Sequence, residues 1–331
     1  MKKRDFISVS SVPSVAINPV AIKSTQAPLA AYNTPKSTDS GTMTPDEYCQ
    51  DKTAKSGSSF YYSFLFLPEA QRKAITALYA FCREVDDVVD ECSDSELARS
   101  KLNWWRAEVF GLFEGRPNHP VCKALVIPIE QYNLPKEYFL EIIDGMEMDL
   151  LQTRYASFAE LNLYCYRVAS VVGLMAAEIF GYQDRGTLKY AHNLGLAFQL
   201  TNILRDVKED AQRGRIYLPL DELDEYGVSE EDILKSRCSN KMQKLLDFQA
   251  QRAQQHYDKA FALLPECDRY VQRTGLIMAA IYRNTLNTIQ QDSCRVLSQR
   301  ISSTPLKKLW LAWRTARREK RRHRQLVKHA A

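Results

Sequence analysis

The chain has 331 residues, with a hydrophobic fraction of 45%, a charged fraction of 26% and a formal net charge of +5. A chain of this length can bury one large core or two smaller ones. Twelve glycines among abundant helix-forming residues disfavour a β-sandwich or barrel. No apolar run approaches the length of about 18 residues that a membrane-spanning helix needs, so none is expected.

The positive charge belongs to the C-terminal end of the chain. Residues 307–331 contain ten Lys or Arg and one acidic residue, Glu319, which gives +9 and leaves −4 for the remainder. Because the body is acidic and shows no nucleic-acid-binding motif, a nucleic-acid partner is not expected.

The eight cysteines are scattered, and none forms a C-x-x-C pair. This spacing predicts reduced thiols in a cytoplasmic protein, several of them in the core. The five histidines show no ligand spacing, so a zinc site is not expected. An oxygen-ligated metal remains an open possibility.

Residues 1–42 are rich in Ser, Thr, Pro and Ala, which predicts a disordered extension. A helix is then expected to begin with Thr44 as its cap and Pro45 at its first position, and Met43 is a candidate alternative start. Apolar periodicity beyond this point predicts helices with scarcely any strand. The predicted helices cover about 46–56, 69–91, 94–114, 135–151, 157–180, 184–210, 229–236, 240–264, 269–300 and 305–325.

The first chemically informative motif lies in the helix predicted over 69–91. Asp86 or Asp87 and Asp90 are spaced so that their carboxylates share one helix face, and Tyr79 and Arg83 continue the same stripe. Apolar residues occupy the positions between them. A tyrosine, a guanidinium and carboxylates are therefore expected to face one cavity.

A second acidic motif lies in the helix predicted over 184–210. Gln199, Asn202, Asp206 and Asp210 follow one another at intervals of three or four residues, with Arg205 at the flank. This polar stripe runs along an otherwise apolar helix, so it is also expected to face an interior cavity.

Each motif alone is compatible with a solvated helix face that carries ion pairs, such as Arg83 with Asp86. Two such motifs in apolar helices favour a different interpretation, because carboxylates in an apolar bundle repel one another unless a cation lies between them. Magnesium ions bridging both motifs to a diphosphate would supply that cation, and the arginines would neutralise the remaining phosphate charge.

Such a site can ionise an allylic diphosphate, which leaves a carbocation that must be shielded from water. The cavity is therefore expected to be apolar and aromatic, although simple core packing is the alternative for each single aromatic residue. The candidates are Phe60, Tyr61, Tyr62, Phe64, Tyr79, Tyr164, Tyr166, Phe198 and Tyr282.

The chain resembles the squalene and phytoene synthase family from about residue 43 to residue 302. The matching stretches are 58–62 with Leu67-Pro68, 77–87 with Asp90, 164–169, 199–210 and 215–219. The resemblance implies an all-α isoprenoid-synthase bundle around a central cavity that holds two prenyl diphosphates. It also implies a division into an extension (1–42), a catalytic domain (43–302) and a basic amphipathic tail (303–331).

The resemblance further implies roles for individual residues. Magnesium ligands or their close supports would be Asp86, Asp90, Asn202, Asp206 and Asp210. Catalytic residues near the reacting carbons and phosphates would be Tyr79, Tyr164, Tyr282, Arg83 and Arg205. Substrate-binding residues would be Ser56, Gly57, Ser58, Ser59, Phe60, Tyr79, Arg83, Asp87, Gln199, Arg205, Arg213, Arg215 and Tyr217.

Within the family, residues 43–50, 56–64 and 145–150 most resemble the bacterial presqualene diphosphate synthases of hopanoid pathways, which join two farnesyl diphosphates and release pyrophosphate. A phytoene synthase using geranylgeranyl diphosphate and a squalene synthase using NADPH are the alternatives within the family. NADPH is not expected, since no dinucleotide fingerprint is present. The alternative of another class is a non-catalytic helical protein that binds divalent metal.

A further acidic group lies near the end of the helix predicted over 135–151. Asp144 is a candidate support for the cavity, whereas Glu147 and Asp149 are expected at the surface or in ion pairs.

The C-terminal tail combines leucines and two indoles, Trp310 and Trp313, with dense positive charge. This composition predicts peripheral docking on anionic lipid, at the inner face of the cytoplasmic membrane. The alternative is a helix that packs on the bundle and has a frayed basic end.

Overall fold

The computed structural model describes residues 43–56, 60–92 and 94–330, and the predicted extension 1–42 lies outside the described residues. Regular structure in the described residues is helical, apart from one isolated bridge between Arg154 and Ile216. The helices are α1 (Pro45–Lys55), α2 (Phe60–Phe64), α3 (Glu69–Glu91), α4 (Ser95–Phe113), α5 (Pro120–Gln131), α6 (Lys136–Leu151), α7 (Phe158–Cys165), a π-helix (Tyr166–Ser170), α8 (Val171–Phe180), α9 (Gly186–Gln212), α10 (Leu220–Tyr226), α11 (Glu230–Leu234), α12 (Asn240–Leu263), α13 (Arg273–Gln291), a 3₁₀-helix (Ser293–Leu297) and α14 (Pro305–Ala330). The predicted all-α class is confirmed.

The predicted start of the first helix is also confirmed. The Thr44 hydroxyl accepts a hydrogen bond from the Glu47 backbone N–H, and the Glu47 carboxylate accepts one from the Thr44 backbone N–H at 2.8 Å. Pro45 occupies the first helical position, where a backbone N–H has no intrahelical partner.

Three short helices, α2, α5 and α10, were not predicted. In α5, Pro120 stands at the start of the helix, where proline is tolerated, and Pro128 lies inside it. Val121, Cys122 and Leu125 are fully buried against neighbouring helices. Tertiary packing therefore stabilises a segment whose prolines indicate a break.

Two hydrophobic clusters form the interior. One draws mainly on α3, α4, α5, α6 and α8, and the other on α9, α12 and α13. A cavity lies between them, lined on one side by residues such as Leu78 and on the other by residues such as Leu194 and Phe198. The bundle thus places α3 and α9 on opposite walls of the cavity.

Two glycines allow α9 to pack closely against the preceding helices. A Cβ atom on Gly195 would lie 2.6 Å from the Ala169 carbonyl oxygen, and one on Gly173 would lie 2.6 Å from that of Ala191. Both glycines line the cavity. Any side chain at either position would force α9 away from α8 and the π-helix.

The helical segment Phe158–Phe180 is long and apolar enough to cross a membrane by length and composition alone, and half of its most apolar window is buried. Val171 and Met175 are fully buried in the core, while Val172 and Ala176 line the cavity. Its apolar composition is therefore explained by its place in the interior of the bundle.

The prediction that all eight cysteines are reduced is wrong for one pair. Cys238, just before α12, and Cys294, in the 3₁₀-helix, form a disulfide across 56 residues of sequence. Cys49, Cys122 and Cys165 are free and buried, as predicted. The sequence does not predict this disulfide because no local spacing of cysteines indicates it. The two sulfurs come together only through the packing of α12 on the end of α13.

Candidate active site

The central cavity has a volume of about 820 Å³ and has two chemically different ends. Its polar end is formed where α3 and α9 terminate, and it contains both acidic motifs. Its inner end lies among apolar side chains near the start of α9 and the end of α8, including Phe180, Tyr190 and Leu194.

The first motif faces the cavity with only part of its acidic group. Asp86 and Asp90 line the cavity, and Arg83 contacts Asp86 and Asp87 at 2.6 Å each. Asp87 does not line the cavity and instead also pairs with Lys52 of α1 at 2.8 Å. The expected role of Asp87 in substrate binding stays a prediction, and the structure places it behind Arg83.

The second motif is held by two arginines from different parts of the chain. Arg205 Nε donates to Asp206 at 2.8 Å, and Arg300 Nε lies 2.9 Å from the same carboxylate. The Asn202 amide nitrogen donates to Gln199 at 3.3 Å. The Asn202 Oδ1 atom is buried and has no hydrogen-bond partner within the described residues. This oxygen is therefore available as a ligand at the cavity.

The loop after α9 connects the two motifs across the mouth of the cavity. Arg213 and Arg215 reach Asp90 at 3.0 and 3.5 Å. Gly214 between them has φ of +74°, a value that favours glycine, and the Arg215 backbone N–H donates to the Asp210 carbonyl at 2.9 Å. The end of α9 is therefore tied to the end of α3.

Asp149 was expected at the surface or in an ion pair, and this expectation is wrong. The residue is 7% exposed and lines the cavity, and its two carboxylate oxygens accept hydrogen bonds from the hydroxyls of Tyr164 at 2.9 Å and Tyr217 at 2.8 Å. Tyr217 stacks on Tyr155 and Tyr164. The sequence could not place Asp149 inward because Tyr217 is 68 residues away in the chain.

The other two acidic residues of that helix lie elsewhere. Arg106 of α4 contacts Asp144 at 2.6 Å and Glu147 at 2.7 Å. Neither residue lines the cavity. The ion-pair interpretation of Glu147 is confirmed, and Asp144 is also held in an ion pair next to α4.

An aromatic wall lines the middle of the cavity. The ring of Phe60 lies 5.5 Å from that of Tyr79 and 5.9 Å from that of Tyr282, and Phe198 lies 4.8 Å from Tyr282. The Tyr79 hydroxyl donates to Ser56 Oγ at 3.1 Å. Aromatic faces can stabilise a cation, and the wall adjoins the carboxylates and arginines.

The cavity thus brings together most of the residues that the sequence singled out. Gly57, Ser58 and Ser59 lie outside the described residues. The predicted residues that line the cavity are Ser56, Phe60, Tyr79, Arg83, Asp86, Asp90, Tyr164, Gln199, Asn202, Arg205, Asp206, Asp210, Arg213, Arg215, Tyr217 and Tyr282.

Two basic residues at the mouth were missed. Arg300 and Lys308 both line the cavity, from the segment that the sequence assigned to the end of a helix and to a basic tail. Burial, with the nearby charges of Arg205 and Arg300, lowers the pKa of Lys308. A bound anion would reverse the effect of those positive neighbours. No local signal separates Lys308 from the other nine Lys and Arg of the tail.

Three carboxyl groups at this end of the cavity have pKa values above those of ordinary surface acids. Burial and the carboxylate of Asp90 raise the pKa of Asp86 to about 7, and burial and the carboxylate of Asp206 raise the pKa of Asp210 to about 7. Burial raises the pKa of Asp149 to about 6, against the opposing effects of Arg215 and its two tyrosine donors. Negative charge at this end of the cavity is therefore under-compensated.

Magnesium fits this donor set in a particular way. Within the described residues, no group of three or more carboxylate, histidine or cysteine side chains is close enough to hold an ion alone. Mg²⁺ commonly takes one or two protein carboxylates and fills its remaining positions with water and substrate phosphate. Asp86, Asp90, Asp206, Asp210 and the free Asn202 oxygen are suited to that mode of binding.

Comparison with known proteins agrees with this architecture. The family model for squalene/phytoene synthase matches residues 53–307. A 15-cis-phytoene synthase from Synechocystis is 36% identical over 81% of this chain and 84% of its own. A presqualene diphosphate synthase from Sinorhizobium fredii is 39% identical over 70% of this chain and 84% of its own. A crystal structure of a dehydrosqualene synthase superimposes with a TM-score of 0.71 at 28% identity, covering 83% of this chain and 96% of the other.

A helical bundle of this kind, with acidic and basic groups at one end of an apolar cavity, has the isoprenoid-synthase fold. The chain belongs to the squalene/phytoene synthase family, whose members are prenyltransferases that use prenyl diphosphates.

The raised carboxyl pKa values predict how stability depends on pH. The pKa values of Asp86 and Asp210 rise from 3.8 to about 7 on folding, so the folded state binds these protons more tightly. Their contribution to stability is therefore lost as pH rises from about 4 to about 7. Mg²⁺ with inorganic pyrophosphate competes with those protons, and its stabilising effect should be larger at pH 8 than at pH 6.

Thermal unfolding at both pH values, with and without Mg²⁺ and pyrophosphate, checks this expectation. The Asp86→Asn/Asp210→Asn variant should show a smaller dependence on pH and a smaller shift on adding Mg²⁺. An equal Mg²⁺-dependent shift in the variant would show that these carboxylates do not hold the ion.

A second prediction concerns the buried tyrosine pair. In Asp149→Asn one carboxylate oxygen becomes an amide nitrogen, so one of the two tyrosines loses its acceptor and both are expected to shift. A misplacement of about 1 Å can lower turnover by about 100-fold, and a loss of this order is expected in kcat, measured by pyrophosphate release.

Glu147→Gln is the matched control, because Glu147 lies on the same helix but pairs with Arg106 away from the cavity. It should retain activity. Near-normal kcat in Asp149→Asn, with unchanged thermal stability, would remove Asp149 from the working site.

Proposed function

We propose that the protein is a Mg²⁺-dependent transferase that joins two farnesyl diphosphates head to head, giving presqualene diphosphate and pyrophosphate. The observation that carries this proposal is the cavity itself, in which both acidic motifs and several arginines lie at one end of an apolar, aromatic chamber. The presqualene diphosphate synthase of Sinorhizobium fredii, 39% identical over 70% of this chain, supports the choice of farnesyl diphosphate.

The basic residues at the mouth would bind the two diphosphates. Arg83 and Arg205 lie within reach of the cavity on opposite walls, and Arg300 and Lys308 reach it from the segments beyond α13. Bidentate guanidinium groups match the geometry of phosphate oxygens. Arg213 and Arg215, which already bridge to Asp90, would close the mouth over the bound phosphates and exclude water.

When Mg²⁺ is bound, it neutralises charge on the leaving diphosphate. The carbon–oxygen bond of one substrate breaks, and the double bond of the second substrate attacks the allylic cation. Loss of a proton then closes a cyclopropane ring, while the second diphosphate stays on the product. Phe60, Phe198 and Tyr282 would face the cationic carbons.

The proton released in ring closure needs an acceptor. The hydroxyls of Tyr79 and Tyr164 lie at the cavity, one hydrogen-bonded to Ser56 and the other to Asp149. Each is held in a fixed orientation and could pass the proton to the departing pyrophosphate. The pyrophosphate, held at the mouth by arginines, is the final acceptor in this scheme.

A second candidate function is phytoene synthesis from geranylgeranyl diphosphate. Several relatives carry that name, including the Synechocystis protein that is 36% identical over 81% of this chain. Both functions use the same site and differ in the length of the prenyl chain. The expectation that NADPH is not used and the assignment to the cytoplasm or its membrane face stay predictions.

Product analysis separates these functions. Purified full-length protein with Mg²⁺ is given farnesyl diphosphate, without and with NADPH, or geranylgeranyl diphosphate, and products are identified by mass spectrometry. A thirty-carbon diphosphate in both farnesyl reactions is expected. Squalene with NADPH would show a reductive second step, and phytoene from geranylgeranyl diphosphate alone would favour the second candidate.

Asp206→Asn should lower turnover by at least ~100-fold if this carboxylate holds the catalytic metal ion. Asp224→Asn, at an exposed position of α10, is the control that should keep full activity. Equal activity in the two variants would favour the non-catalytic alternative.

The inner end of the cavity predicts how chain length is chosen. From Tyr190 to Asp206 helix α9 rises by ~24 Å, at about 1.5 Å per residue, so the cavity is deep enough for a long prenyl chain. Phe180 lines its inner end. Phe180→Ala should raise the ratio of kcat/KM for geranylgeranyl diphosphate to kcat/KM for farnesyl diphosphate by about 10-fold or more. Apolar contacts in a substrate pocket typically change such a ratio by this amount.

Because both substrates are measured on one variant, a general loss of stability cancels in this ratio. Tyr190→Phe removes only a hydroxyl at the same end of the cavity and should leave the ratio unchanged. An unaltered ratio in Phe180→Ala would place the chain-length limit elsewhere.

A further inference from the structure

The C-terminal helix α14 is held on the bundle by one face. Ala312, Thr315 and Glu319 are buried, and Ala312 packs with Ile277 and Ile281 of α13. Arg269 Nε donates to Glu319 at 2.8 Å. These contacts fix the orientation of α14, so the side chains on its opposite face point away from the bundle.

The opposite face of α14 is apolar over its first turns. Leu306 is 80% exposed, Leu309 44%, Trp310 50% and Trp313 49%. At 100° per residue these four side chains fall within a sector of about 100° on one side of the helix. Four large apolar side chains in one stripe form a patch that the bundle does not cover. We call this stripe, with its basic continuation, the outer face.

The continuation of the same sector is basic. Arg317, Lys320, Arg321 and Arg324 are exposed, and none of the last three forms an ion pair within the described residues. Arg317 also lies over the Trp313 ring, 5.2 Å from its centroid. Indoles beside cationic side chains are typical of helices that lie in a lipid interface.

We propose that the outer face of α14 docks the enzyme on an anionic lipid bilayer, with the mouth of the cavity beside the membrane surface. Lys308 of the same helix lines that mouth from the side that faces the bundle, roughly 150° around the helix axis from the outer face, so about one helix diameter, ~10 Å, would separate the mouth from the bilayer. The benefit of a mouth close to the bilayer rests on the proposed function. Prenyl chains partition into lipid, so the substrates would have a short path from the bilayer into the cavity.

Charge favours a bilayer over the other occupants of this face. Residues 307–331 carry +9, and a second copy of the chain that docked through the same face would bring the same charge against it. Residues 1–42, with five Lys or Arg and two Asp, are also net positive. An anionic membrane surface is complementary to the outer face, and attraction to it is weakened by salt.

Vesicle flotation of the full-length protein tests the proposal without any substrate. Binding is expected to vesicles of equal parts phosphatidylglycerol and phosphatidylcholine, and to be at least ~10-fold weaker to phosphatidylcholine alone or at high salt. Leu309→Ser/Trp313→Ser and, separately, Lys320→Gln/Arg321→Gln/Arg324→Gln should each weaken binding by a similar factor. Equal binding by these variants would overturn the proposal.

Ile127→Ser is the matched control, because Ile127 is 71% exposed on α5, away from α14. It should bind vesicles like the wild type. Quenching of indole fluorescence by brominated lipid provides a second measurement on the unaltered chain. Quenching is expected on anionic vesicles, and its absence would overturn the proposal even if the variants fail to fold.

Two further outcomes separate this proposal from the proposed function. Vesicle binding without turnover of any prenyl diphosphate supports the docking face and contradicts the function. Turnover in detergent solution without vesicle binding supports the proposed function and contradicts the docking face. If the Leu309→Ser/Trp313→Ser variant changes the oligomeric state in light scattering and leaves vesicle binding intact, the face is an interface between copies and the proposal is wrong.

Discussion

The structure depends on compensating negative charge at one end of an apolar bundle. Asp90 and Asp210 lie in the last turns of α3 and α9, where the helix dipole disfavours anions. Burial and mutual repulsion add to that cost, as the raised pKa values of Asp86 and Asp210 show. Guanidinium groups from three parts of the chain offset this charge. A site with surplus carboxylates and several guanidinium groups would suit a metal-bound diphosphate, which brings both signs of charge.

The rest of the bundle encloses the apolar part of the cavity and gives the cavity its depth. Gly173 and Gly195 let α9 approach α8 and the π-helix closely, and the apolar helical segment Phe158–Phe180 supplies part of the lining. Aromatic rings then separate the charged mouth from the apolar interior. An allylic cation formed there would meet rings and carboxylates before it met solvent. Under the proposed function, the same geometry would suit farnesyl and geranylgeranyl chains, and the inner end would decide between them.

The C-terminal segment joins the site to the surface. The sequence assigned residues 303–331 to a tail outside the catalytic domain, yet Lys308 lines the cavity and Glu319 is buried against Arg269. The predicted packing of this helix on the bundle is confirmed by its buried face, whereas its docking on lipid stays a prediction. Packing determines which face of α14 remains exposed, and composition alone could not predict that face.

The sequence by itself determined the helical class, the start of α1 at Thr44 and the stripes that aim Asp86, Asp90, Asp206 and Asp210 at one cavity, because these follow from spacings within a few turns of helix. The tertiary structure alone decided the inward position of Asp149, the approach of Arg300 to Asp206, the Cys238–Cys294 bond and the formation of α5. Each of these rests on contacts between residues far apart in the chain or on burial that overrides local propensity. Helical periodicity carries no information about such contacts, so they appear only when the helices pack.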